Sequence, residues 1–79
     1  MDIEKEELER KLKDIETIEF GDTVEDVSSS LLIVMTLFEV DDHPEVIKAC
    51  KYKLFEGISL LKKFGDKEQA KEIEDKIKE

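Results

Sequence analysis

Leu31-Leu32-Ile33-Val34-Met35-Thr36-Leu37-Phe38 is the longest apolar stretch of the chain, and its reading decides the fold. Taken alone, the β-branched pair Ile33-Val34 suits a strand, and so short an apolar run cannot be assigned by periodicity. The flanks decide. Upstream, Gly21-Asp22 with Glu25 three residues later has the form of a helix stop followed by a capping box. Downstream, Asp41-Asp42-His43-Pro44 ends one helix and opens another, because proline suits a first turn, where its missing N–H costs nothing. Val24, Val27, Leu31, Val34, Met35 and Phe38 recur at helical spacing, and no other segment reads as a strand that could pair with this one. The stretch is therefore the second half of a helix. Leu32, Ile33, Leu37 and Val40 lie off the regular stripe, so that half is apolar nearly all round.

Working outward, a first helix is expected from about Asp2 to Phe20. Leu8, Leu12 and Ile15 fall at i, i+4 and i+7, with Ile18 extending the stripe. Asp2, Glu4, Glu6 and Glu7 fill its first turns, where the helix dipole favours acids, and Gly21 is placed to form a left-handed C-cap. After Pro44, Ile47, Cys50, Leu54, Gly57, Leu61 and Phe64 mark the core face of a third helix, widened by Val46, Phe55 and Ile58. Asp42 and Glu45 have capping-box spacing at its start, and Lys62 and Lys63 complement the dipole at its end. Gly65 stops that helix, Asp66 with Gln69 starts a fourth, and Ala70, Ile73 and Ile77 form its narrow apolar edge. Phe-Gly-Asp occurs at 20–22 and again at 64–66, which reads as stop–start punctuation rather than a duplicated unit. The expected fold is all-α: one domain over residues 1–79, an antiparallel up-down-up three-helix bundle with a short fourth C-terminal helix. Short connectors imply antiparallel neighbours. The second helix is expected to be the most buried.

Composition narrows the function. Of 79 residues, 44% are charged and the net charge is −9. The excess is uneven: residues 1–30 hold eleven acids and four bases, residues 31–79 eleven acids and nine bases. An acidic surface repels phosphate backbones and anionic head groups, so neither nucleic acid nor a membrane is expected as a partner. No basic stripe with interleaved aromatics is apparent. Cys50 is the only cysteine, which suits a reducing cytoplasm. Met1 to Arg10 is acidic and lacks the apolar core of a secretory leader. Leu31 to Phe38 is far short of the roughly 18 residues of a membrane span. Asn is absent and Gln occurs once, a bias that resembles thermophiles and points to an archaeal or bacterial source of that kind.

The residues that could carry chemistry each have a plainer reading. Asp41, Asp42, His43 and Glu45 have the types of a metal or acid–base cluster, but all lie in one connector, whereas ligands converge from more than one element. Ser28-Ser29-Ser30 offers hydroxyls with no base placed beside them, and small residues there suit close helix approach. Cys50 lies on an apolar stripe, where a thiol acts as a small hydrophobe. Gly57 on the same stripe implies a close helix contact. The acids of the first helix read as a solvated face. No catalytic, cofactor-binding or metal-ligating residue is expected, and no cofactor.

Known helical families were weighed on particular residues. Ser29-Ser30-Leu31 lacks the Asp of the Asp-Ser-Leu motif that opens the second helix of acyl carrier proteins, and it lies inside a helix. Thr36-Leu37-Phe38-Glu39 with His43-Pro44 resembles the second helix of colicin-type immunity proteins over that stretch, but their tyrosine pair is missing because Tyr52 stands alone. Lys51 to Ile77, with the break Lys63-Phe64-Gly65-Asp66, looks like an inter-helix turn of a tetratricopeptide array, and Asp42-His43-Pro44-Glu45-Val46 like the opening of a HEAT hairpin; neither consensus extends over a full repeat.

What remains is an expectation of a non-enzymatic interaction or accessory-subunit domain acting through an apolar helical face. Its candidate interface is Leu32, Ile33, Leu37 and Val40, and a second copy of the chain, as a homodimer, is the first expected partner. The alternative is an acidic inhibitor or nucleic-acid mimic that occupies a basic site on another protein.

Overall fold

The structure, a computed structural model, describes residues 3–78. Four helices and no strands occur among them: α1 (Ile3–Glu16), α2 (Val24–Val40), α3 (Pro44–Lys63) and α4 (Lys67–Lys78). Asp2, expected in the first turn of α1, lies outside the described residues. The packing is compatible with a helical bundle. The helices form a slab of 47 × 27 × 14 Å. A thickness of 14 Å is what two helices stacked 8–10 Å apart would span. Each helix of so thin a body keeps an open side.

α3, not α2, is the hub. It packs against α1, α2 and α4, and buries Val46, Cys50, Leu54, Gly57, Ile58 and Leu61. α2 buries only Val27, Leu31, Val34 and Met35. The expectation that α2 would be most buried fails because its outer apolar residues find no helix to cover them. α1 adds Ile15 to the core, with Leu8 and Leu12 half-buried against it, and α4 adds Ala70, Ile73 and Ile77. Phe55 and Phe64, expected on the core stripe of α3, are exposed, and Phe38 and Ile47 are only half-buried.

The helix ends explain the departures from expectation. α1 stops at Glu16, four residues before the expected Phe20. The Thr17 hydroxyl donates to the Asp14 carbonyl at 3.2 Å, and the Ile18 N–H turns back to Ile15 at 3.2 Å. From there the chain is held by α3: Lys53 Nζ donates to the Ile18 carbonyl at 3.0 Å and lies 5.9 Å from the Phe20 ring centroid. Both Thr17 and Ile18 are β-branched and weak helix formers, so this tertiary grip outweighs the continuing apolar stripe.

Gly21 does not adopt the left-handed C-cap conformation; among the described residues the only positive φ is +95° at Gly65. Gly21 is small for a different reason, since a Cβ there would collide with the Asp26 side chain. The two Phe-Gly-Asp segments thus have different backbones. The cap of α2 is Thr23, whose hydroxyl accepts from the Asp26 N–H at 3.1 Å, one residue later than the expected Asp22 box. At α3 the expected Asp42–Glu45 box is likewise replaced. Asp41 Oδ1 accepts from the His43 N–H at 2.9 Å, and His43 Nδ1 accepts from the Glu45 N–H at 3.4 Å. Pro44 occupies the first turn as expected. Asp66 accepts from the Gln69 N–H at 3.2 Å and starts α4.

Candidate functional site

Ser28 donates to Gln69 Oε1 at 2.8 Å, joining α2 to α4, and Ser30 donates to the Glu19 carbonyl at 3.1 Å. Both hydroxyls serve packing, as small residues at helix contacts do. Cys50 is fully buried on the core side of α3. Burial pushes its thiol pKa up, reinforced by the nearby Asp41 carboxylate, so the protonated form is favoured.

The Asp41–Glu45 connector faces α1. Lys11 Nζ lies 3.1 Å from Asp41 Oδ2. The His43 N–H donor and then Lys11 hold the Asp41 carboxyl below its ordinary range. Glu4, Glu7, Asp41 and Asp42, with Lys5, Lys11 and His43 among them, border an open recess of about 530 Å³ at this end of the molecule. Among the described residues, no three His, Cys, Asp or Glu side chains are grouped to hold a metal. At the other end Glu74 is held below the ordinary range by Lys62, 3.6 Å away, and by Lys78 at 3.4 Å.

The four candidate interface residues divide. Leu32, Ile33 and Val40 are 69%, 57% and 74% exposed. Leu37 is half-buried against the core. Thr36 joins the ridge, since Leu32, Thr36 and Val40 follow i, i+4, i+8. The Thr36 hydroxyl donates to the Leu32 carbonyl at 2.9 Å, so the ridge presents no unmet polar donor at its middle. Beside it, Leu32, Met35, Thr36 and Ile73 line a groove of about 280 Å³ between α2 and α4.

Sequence reasoning missed a second surface. Lys48, Lys51, Tyr52 and Phe55 come together on the outer side of α3 around a shallow recess of about 230 Å³. Basic residues are thus interleaved with aromatics after all. The signal is the i, i+3, i+4 and i+7 spacing of these four residues, which the apolar character of Phe55, suited equally to the core stripe, conceals. Among the described residues no helix is long and apolar enough to cross a membrane. No protein-family model, curated protein or solved structure matches the chain.

Proposed function

We propose that this chain is a non-enzymatic protein-interaction or accessory-subunit domain, and that its first partner is a second copy of itself, docked on the Leu32–Ile33–Thr36–Val40 ridge of α2. The exposure of three large aliphatic side chains on one helix carries this reading. Monomers rarely leave a contiguous apolar patch beyond a few hundred Å² uncovered. The accessible surface of 5845 Å² also exceeds the roughly 4900 Å² of a compact monomer of this mass. The ridge is suited to two-fold pairing. An antiparallel α2 pair crossing at Thr36 sets Leu32 of each copy against Val40 of the other, with the small threonine permitting close approach.

In this reading the helices run up-down-up, with α4 turned back along α2. One recess borders both the start of α1, at Glu4 to Lys11, and the start of α3, at Val46. Another borders both the end of α1, at Glu16, and Lys53, Glu56 and Leu60 further along α3, which supports α1 and α3 advancing in the same sense. Ser28–Gln69 joins the start of α4 to the start of α2. The single buried thiol suits a reducing cytoplasm.

A dilution series followed by amide chemical shifts tests the proposal. Concentration-dependent shifts should centre on Leu32, Ile33, Thr36 and Val40 and vanish in Leu32→Glu. Shifts absent from α2 would refute it. The second reading is an acidic inhibitor of a basic site, favoured by the eleven acids and four bases of residues 1–30. Salt separates the two: association through charge weakens steeply as ionic strength rises, whereas association through the aliphatic ridge does not.

A further inference from the structure

Lys48, Lys51, Tyr52, Phe55, Ser59 and Lys62 form one continuous stripe along α3, on the side opposite its buried residues. Tyr52 is 68% exposed and Phe55 45% exposed. Neither Lys48 nor Lys51 enters an ion pair among the described residues, and no acid lies on the stripe itself. Tyr52 also walls a second recess, of about 300 Å³, whose apolar floor is Leu12, Ile15 and Ala49 and whose rim carries Glu16, Glu56 and Lys53, the last two paired at 3.4 Å. The cations that face outward are Lys48 and Lys51, on the Phe55 side of Tyr52.

Exposed aromatics beside an apolar recess, with cations around them, have the composition of an interface hot spot and its rim. The charge identifies the occupant. Lys62 already faces Glu74 at 3.6 Å, but Lys48 and Lys51 stand together without such a partner among the described residues, on a chain of net charge −9, so this end of the face favours an anion. A long anionic polymer extends beyond the stripe and meets residues 1–30, which carry net −7. A short acidic segment touches only Leu12, Ile15 and Glu16 of that region, at the recess. The recess beside Tyr52 adds room for one apolar side chain.

We propose that the outer face of α3, from Lys48 to Lys62, docks a short acidic segment of another protein that inserts a bulky apolar residue beside Tyr52. This surface is separate from the α2 ridge and stands or falls independently of it.

The test uses the full chain, isotopically labelled, and a synthetic peptide of glutamates around one central Phe. Amide shifts should localise to Lys48–Phe55 and Leu12. The doubly substituted Lys48→Glu, Lys51→Glu protein, its helicity checked by circular dichroism, should bind the peptide about tenfold or more weakly. Tyr52→Ala should weaken it without changing charge, and Leu32→Glu should leave it unaltered. Shifts elsewhere, no shifts, or equal binding by the charge-reversed protein would overturn the proposal. So would tighter binding of an oligothymidine at the same residues, which would assign the face to single-stranded nucleic acid.

Discussion

Gly57 of α3 and Leu31 of α2 meet with no space for a methyl group between them. A Cβ on Gly57 would collide with the end of the Leu31 side chain, lie 2.7 Å from its Cγ, and touch the Phe20 ring at 3.0 Å. Leu31 is 1% exposed and has nowhere to retreat. This contact joins the two helices and pins the α1–α2 connector through Phe20.

Gly57→Ala therefore tests the contact. In an open helix the change stabilises by about 1 kcal/mol. Here overpacking, at about 1–3 kcal/mol, outweighs that gain, and a net loss is expected in urea unfolding. Leu31→Ala alone should cost about 2–5 kcal/mol. In the Leu31→Ala background, Gly57→Ala should become neutral or stabilising, the coupling expected of touching residues. Additive effects would show that the helices do not meet at this point.

The helices themselves were legible because Val27, Leu31 and Val34, like Cys50, Leu54 and Leu61, repeat at helical spacing between strong stop signals. Their ends were legible only to within a few residues. Asp22 and Thr23 are both good caps, and it is the Thr23 hydroxyl that accepts from the Asp26 N–H. The early end of α1 depends on Lys53, 35 residues away from the Ile18 carbonyl it holds, which no local pattern encodes. The central place of α3 was hidden by composition. α2 is the more apolar helix, but its excess at Leu32, Ile33 and Val40 faces outward. Sequence periodicity places Leu32, Ile33, Leu37 and Val40 together off the core stripe, but only packing separates the exposed Leu32, Ile33 and Val40 from the half-buried Leu37.

Cys50 should resist a thiol reagent until the protein unfolds, since its side chain is fully buried. Its pKa in the folded state lies above the ordinary 9.0. The stability it confers is complete below that value and is lost as pH rises toward the higher folded pKa, because the unfolded thiol ionises first. The stability difference between the native protein and Cys50→Ala should therefore shrink on the alkaline side. Rapid labelling of the folded protein would show the thiol to be accessible.

Asp41 behaves in the opposite sense. Its pKa in the folded state lies below the ordinary 3.8, through the His43 N–H and then Lys11. Its contribution is present above 3.8 and is lost as pH falls through the lower folded pKa. Asp41→Asn should destabilise near neutrality, and the difference from the native protein should close in acid. A difference that stays constant with pH would mean that the carboxylate charge does not matter there.

Sedimentation equilibrium at micromolar concentration tests the central claim most directly. If the Leu32–Ile33–Thr36–Val40 ridge is an interface between copies, the fitted mass is twice the 9.2 kDa of one chain, and Leu32→Glu returns it to one. A mass of 9.2 kDa for the unaltered protein would contradict the account.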